Sequence, residues 1–199
     1  MKSIETEIKF KVANGAALES KLAAAGFHKL TARTFERNVL YDTPDRNLRN
    51  NGQILRIRKY GAKWVITHKR IPPDDSPENR HKQRIETETE VQDGEAMALI
   101  FESLGLQPAF TYEKWRTEWA DNQGHCVLDE TPIGVFAELE GPADWIDETA
   151  GKLGVKLADF MTLSYGRLFD EWKQQTGSPV NDLTFKAILG ESLPGVGQE

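Results

Sequence analysis

Charged and apolar residues alternate along Ile4-Glu5-Thr6-Glu7-Ile8-Lys9-Phe10-Lys11-Val12. Successive strand side chains point to opposite faces, so this pattern predicts a strand with Glu5, Glu7, Lys9 and Lys11 on one side and Ile8, Phe10 and Val12 on the other. The period changes after Asn14-Gly15. Ala16, Ala17, Leu18, Leu22 and Ala23 share one face of a helix running to Ala25 and stopped by Gly26. That helix needs an apolar surface, which Ile8 and Phe10 can supply. Residues 33–42 return to strand, Thr43-Pro44-Asp45 reads as a turn, and residues 48–52 as a short connection. Strands over 53–60 and 63–70 then flank a tight turn at Gly61-Ala62.

The stretch Ile71-Pro72-Pro73-Asp74-Asp75-Ser76-Pro77 breaks the pattern, because proline fixes the backbone and removes a donor; it is expected to be an exposed loop. A strand over 82–91 follows with Arg84, Glu86, Glu88 and Glu90 on one side, then a helix over 93–104 ended by Gly105. Strands over 110–120, 125–130 and 134–140 are separated by Asp121-Asn122-Gln123-Gly124 and Thr131-Pro132-Ile133. Helices are expected over 142–153 and 164–175. Trp115 and Trp119 alternate with charged neighbours; they suit packing beneath a helix outside the sheet better than a base-stacking platform. A length of 199 residues and 39% hydrophobic content fit one domain over 1–175, with a partly flexible C-terminal extension over 176–199 that frays from Gly190.

Net charge narrows the function classes. At −6 the chain lacks the basic footprint of a general nucleic-acid or anionic-membrane binder. Its single cysteine, Cys126, can form neither an internal disulfide nor a thiolate cage, which suits a reducing compartment, and cytoplasm is expected. Charges begin too early for a signal-peptide core, and no apolar run reaches membrane-spanning length. His28, His68, His81 and His125 are scattered without zinc spacing, and neither a P-loop nor a G-x-G-x-x-G turn occurs.

The charged strand faces carry the candidate chemistry. Their basic members are Lys9, Arg56, Arg58, Lys69, Arg84, Lys114 and Arg116, and their acidic members are Glu5, Glu7, Glu86, Glu88, Asp129, Glu138 and Glu140. For any one strand, a sheet with one face in water is the ordinary reading. If the sheet closes into a barrel, these groups share a lumen, where unpaired charge is costly. A polyanion with hard divalent cations reconciles such a lumen: Lys and Arg hold phosphate oxygens, and carboxylates offer oxygen ligands to Mg²⁺ or Mn²⁺.

In this order the residues are similar to the CYTH superfamily, the triphosphate tunnel metalloenzymes. Glu5-Thr6-Glu7-Ile8-Lys9 resembles its E-x-E-x-K motif. Leu55-Arg56-Ile57-Arg58, Lys69, Arg84-Ile85-Glu86-Thr87-Glu88, Lys114-Trp115-Arg116, Asp129 and Glu138-Leu139-Glu140 follow in sequence. The resemblance covers most of residues 3–170 and implies an α+β fold: a closed eight-stranded antiparallel barrel with helices packed outside. It implies metal ligands at Glu5, Glu7, Asp129, Glu138 and Glu140, supported by Glu86 and Glu88. Triphosphate contacts are implied at Lys9, Arg56, Arg58, Lys69, Lys114 and Arg116, with Arg84 on phosphate or organising carboxylates. Glu5, Glu7 and Lys9 would carry the chemistry, and Tyr41 resembles a tyrosine beside the motif lysine, although a structural tyrosine fits equally. Ser164-Tyr165-Gly166-Arg167 resembles the family's segment near the tunnel mouth. Arg70 after Lys69, where many relatives have glycine, and the loop over 71–77 depart from the pattern.

The implied activity is Mg²⁺- or Mn²⁺-dependent hydrolysis of inorganic triphosphate or a small organic triphosphate such as thiamine triphosphate. A class IV adenylate cyclase acting on ATP is the second reading, and a noncatalytic polyphosphate or nucleotide sensor the third. Oligomeric state stays open.

Overall fold

In a computed structural model, which describes residues 2–76 and 78–190, the charged rows do enter a common lumen. Eight strands form: β1 (Lys2–Lys11), β2 (His28–Asp42), β3 (Gln53–Tyr60), β4 (Lys63–Arg70), β5 (Lys82–Val91), β6 (Gln107–Ala120), β7 (His125–Thr131) and β8 (Gly134–Glu140). They pair antiparallel in the order β1-β5-β4-β3-β2-β6-β7-β8, and β8 pairs back to β1. Closure satisfies ladder donors and acceptors that an open sheet would leave at its edges. The fold is therefore the expected α+β barrel with external helices.

The helices are α1 (Gly15–Ala24), a short α2 (Asn47–Asn50), α3 (Gly94–Ser103), α4 (Ala143–Leu153), α5 (Tyr165–Thr176) and α6 (Phe185–Leu189). Local caps start several of them: Asn14 Oδ1 accepts from Ala17 N at 3.1 Å, and Asp93 Oδ1 accepts from Glu95 N and Ala96 N at 2.9 Å each. α1 and α4 cover the outward side of β1, β7 and β8. Ile8, Phe10, Leu128 and Leu139 pack there against Leu18, Leu22, Trp145, Ile146 and Leu153. Burying such side chains is worth about 1.5–3 kcal/mol each, and it pins β1 so that its alternate residues face the lumen. Gly94 is required for the close approach of α3, since a Cβ there would stand 2.2 Å from the Trp64 ring.

α5 closes one end of the barrel. On the inward faces of β2, β6 and β8 the charged rows give way to Leu40, Phe110, Tyr112 and Phe136, which pack against Tyr165, Leu168 and Phe169 of α5.

Some boundaries differ from expectation. β2 begins at His28 rather than 33 because its pairing with β6 shifts register between Lys29 and Thr31 and again before Thr34, which destroys the two-residue period. β6 begins at Gln107 rather than 110, and α2 forms where a plain connection was expected. Part of the expected C-terminal extension also packs on the barrel. Pairing of β6 with β7 begins at Trp115, and upstream of it Leu183 N donates to Thr111 O while Glu113 N donates to Leu183 O, each at 2.9 Å. Residues 191–199, where fraying was expected, and Pro77 of the proline-rich loop lie outside the described residues.

Candidate active site

β2, β3, β6 and β7 build a basic wall. Arg56 and Arg58 come from β3, Lys114 and Arg116 from β6, all directed inward by the two-residue period. Asp129 of β7 anchors them while fully buried. Its carboxylate accepts from Lys114 Nζ at 2.8 Å, from Arg116 Nε and Nη2 at 2.7 Å each, and from the Tyr165 hydroxyl at 2.6 Å. Arg56 Nη1 donates to the Tyr112 hydroxyl and its Nη2 to Thr67 Oγ1, both at 3.0 Å. Glu36 of β2 stands among these cations, directly opposite Lys114 in the ladder. Burial opposes its ionisation, yet Arg58, Lys114, Arg116 and Arg56 bring its pKa far below the usual carboxylate range.

β1, β5 and β8 build an acidic wall, on which the carboxylates meet ammonium groups. Lys69 Nζ, from β4, lies 2.7 and 2.6 Å from the two Glu5 oxygens and 3.1 Å from Glu86. Lys82 pairs with Glu7, and Lys9 with Glu138. Burial raises the Glu7 carboxyl, but Lys82, with Lys9 and Lys69 behind it, brings it down to about 2. Glu138 is brought well below the usual range against burial by Lys9, Arg116 and Lys114. Glu140 behaves in the opposite way. Exposed at the rim yet crowded by protein, it is pushed up to about 7 by desolvation and then by the Glu5 carboxylate, Lys69 opposing and Glu7 and Glu86 adding.

Among the described residues no three His, Cys, Asp or Glu side chains are grouped as a metal site. The expected ligand set divides. Asp129 is committed to Lys114, Arg116 and Tyr165, and Glu138 bridges Lys9 to Arg116, whose Nη2 donates to Glu138 Oε2 at 3.0 Å. Glu88 accepts from Thr67 Oγ1 at 2.9 Å. Glu5 and Glu86, which share Lys69, and Glu7, which meets Lys82, gather with Glu140 at one end of the tunnel as hard oxygens held only by lysine ammoniums. The Glu140 carboxyl is raised first by burial and then by the Glu5, Glu7 and Glu86 carboxylates. This donor chemistry fits a hard divalent cation.

Other residues fall differently from expectation. Tyr41 lies outside the barrel, packed edge-on to Phe101 of α3 at 5.3 Å between centroids. The tyrosine beside the motif lysine is Tyr165, whose ring centre is 4.6 Å from Lys9 Nζ. Plain alternation puts Tyr41 with Val39 on the α3 side, opposite the inward row of Glu36, Asn38 and Leu40. Arg84 reaches toward the proline-rich loop, 3.6 Å from Asp75. Trp119 packs beneath α1 and α4 as expected, but Trp115 is covered by Phe35 and the Arg33 guanidinium rather than by a helix. Sequence reasoning missed Glu36, Asn38, Lys82 and Tyr112, and it put the segment holding Tyr165 near the tunnel mouth without giving that tyrosine a role of its own. For Glu36 and Asn38 the signal was available as alternation with Phe35, Arg37 and Val39, but their inward row ends in Leu40 and does not read as charged.

A closed antiparallel barrel with opposed basic and acidic walls inside defines a tunnel protein suited to polyanions. The chain belongs to the CYTH domain family, whose model matches residues 3–158, and its barrel is the family's triphosphate tunnel fold. It is 29% identical over 146 residues to a Methanocaldococcus jannaschii protein named as a candidate adenylate cyclase, covering 73% of this chain and 81% of that one. A Vibrio parahaemolyticus structure described in the same terms aligns with TM-score 0.73 at 20% identity, over 84% of this chain and 98% of the other. A Hippeastrum structure, described as a candidate adenylyl cyclase with a dominant triphosphatase activity, aligns with TM-score 0.58 at 17% identity, over 86% and 96%. Among the described residues no helix is long and apolar enough to cross a membrane.

Proposed function

We propose that this protein hydrolyses inorganic triphosphate or a small organic triphosphate inside the tunnel, with Mg²⁺ or Mn²⁺. The observation that carries the reading is the opposition of the two walls: inward Arg56, Arg58, Lys114 and Arg116 face a crowded set of carboxylates from β1, β5 and β8. The guanidinium and ammonium donors of the basic wall bind non-bridging phosphate oxygens and hold the chain of phosphoryl groups in register. They also oppose the charge that develops on the leaving oxygens. Lys9 sits between the walls, and its pairing with Glu138 orients it toward the same anion. Glu5, Glu7 and Glu140, with Glu86 beside them, would hold the divalent cation. Bound there, it supplies Lewis-acid charge to the phosphate oxygens. Water attack on the terminal phosphorus breaks its bond to the bridging oxygen and releases orthophosphate and a proton, together with pyrophosphate from inorganic triphosphate or the organic diphosphate from an organic one.

The lumenal aromatics support a small substrate. Tyr112 and Tyr165 stack on each other with centroids 5.7 Å apart, and Lys9 and Lys114 occupy positions 4.6 and 4.7 Å from the Tyr165 ring centre. These ring faces are engaged by neighbours rather than presented to a base. A second reading, cyclisation of ATP to cyclic AMP and pyrophosphate, draws on the name of the Methanocaldococcus relative. The two separate on products. Purified protein with Mg²⁺ or Mn²⁺ is expected to release orthophosphate from inorganic triphosphate, and Glu7→Gln to lower that turnover about 100-fold or more. Cyclic AMP with pyrophosphate from ATP would replace the hydrolase by the cyclase, and saturable binding without either product would leave a sensor.

A further inference from the structure

Glu36 has no part in the reaction described above, yet it occupies the middle of the basic wall with no solvent exposure. Its carboxylate lies 3.5 Å from Lys114, 3.6 Å from Arg58 and 3.8 Å from Arg116. All three separations exceed a direct hydrogen bond. Its one tight contact is neutral: Asn38 Nδ2 donates to Glu36 Oε1 at 2.8 Å. Four buried polar atoms in this layer, Glu36 Oε2, Asn38 Oδ1, Arg56 Nε and Arg58 Nε, have no hydrogen-bond partner among the described residues. Asp129, by contrast, saturates its oxygens with Lys114, Arg116 and Tyr165. Glu36 thus acts on the arginines and lysine through charge and takes none of their hydrogen bonds, which Asp129, Glu138, Tyr112 and Thr67 receive instead.

We propose that Glu36 is a resident counter-anion of the tunnel, which offsets the basic wall before ligand arrives and weakens each bound polyanion in proportion to that ligand's charge. The inference rests on the reading that triphosphate binds between these walls. It makes Glu36 a determinant of affinity. A buried carboxylate that touches substrate would have to accept from it, and a triphosphate carries acceptors. Close to several cations, Glu36 instead lowers the field that draws the anion in, and the repulsion grows with each added ligand charge.

The test is calorimetric titration of inorganic triphosphate, pyrophosphate and orthophosphate into wild type and Glu36→Gln, with chelator present so that divalent metal plays no part. The variant is expected to bind triphosphate about tenfold more tightly, pyrophosphate with a smaller gain and orthophosphate with the least. Its melting temperature falls without ligand, because the cations lose their internal partner, and saturating triphosphate narrows the difference from wild type. A purely structural role would lower both melting temperatures equally and leave affinity unchanged.

Asn38→Asp gives the opposite sign and a second route if Glu36→Gln does not fold. A new carboxylate opposite Arg58 is expected to weaken triphosphate about tenfold. Affinity is the readout, because the substitution also replaces the amide that donates to Glu36 with a like charge and lowers the ligand-free melting temperature. Unchanged or weaker triphosphate binding by Glu36→Gln, or unchanged or tighter binding by Asn38→Asp, overturns the proposal. Failure of wild type to bind triphosphate at all overturns the tunnel reading and this inference with it.

Discussion

The basic and acidic walls neutralise buried charge by different means. On the basic wall, Arg116 donates through Nε and Nη2 to both oxygens of Asp129, a fork whose geometry is fixed by the planar guanidinium. On the acidic wall, Glu5, Glu7 and Glu138 are each met by a lysine, whose ammonium is a point charge on a flexible stem. The first arrangement fixes donors in one place. The second lets a carboxylate exchange one cation for another without rebuilding the wall. A site that must hold an anion in register, and accept a divalent cation beside it, needs both properties.

That contrast can be broken most directly at Arg116 and Lys82. Removing Arg116 strips charge from Asp129, Glu138 and Glu36 together, all lining the lumen. Leaving buried carboxylates unpaired is costly, so Arg116→Met is expected to lose about 3–5 kcal/mol of stability and the triphosphate-dependent activity. Arg116→Lys keeps the charge but not the fork, and should fall between. Lys82→Met unpairs only Glu7, and its expected cost is smaller, about 1–3 kcal/mol. It should also tighten Mn²⁺, because a competing ammonium is gone. Denaturant unfolding with and without Mn²⁺ checks both. Equal losses at the two positions, with no change in Mn²⁺ affinity for Lys82→Met, would show that the walls do not differ in this way.

The same contrast explains what could be read from the chain. Strict alternation marked β1, β3 and β8 to within a residue or two, because one face of each is sealed by apolar packing and register is therefore strongly specified. β5 alternates as strictly although its outward Thr87 and Thr89 are exposed. The rows Glu5-Glu7-Lys9, Arg56-Arg58 and Lys114-Arg116 followed from that periodicity. What periodicity cannot give is pairing across strands. Asp129 stands among carboxylates in the sequence, but the β6–β7 register sets it opposite Arg116 and turns it into an anchor for cations. Glu36 was hidden because its row continues through Asn38 into Leu40 at the apolar end. Tyr165 lies on α5, and no strand pattern reports where a distant helix places its first residue.

The smallest expected effect lies at the rim of the acidic wall, where Glu140 and Glu7 titrate in opposite directions. Glu140 is raised from the usual 4.5 to about 7, so the folded protein binds its proton more tightly than the unfolded chain does. Its contribution to stability is complete below about pH 4.5 and is lost as pH rises through 7. Glu7, lowered to about 2, contributes above 4.5 and loses that contribution as pH falls toward 2. Of these two, only the Glu140 contribution changes between pH 5 and 8, and it should make stability decline gently across that window. Screening at the exposed rim holds the decline below about 1 kcal/mol. Glu140→Gln, which cannot ionise, should match wild type near pH 5, exceed it at pH 8, and show a flatter melting-temperature profile between. Parallel profiles for the two proteins would mean that the rim carboxylates are not crowded, and would remove the reason for placing a divalent cation among them.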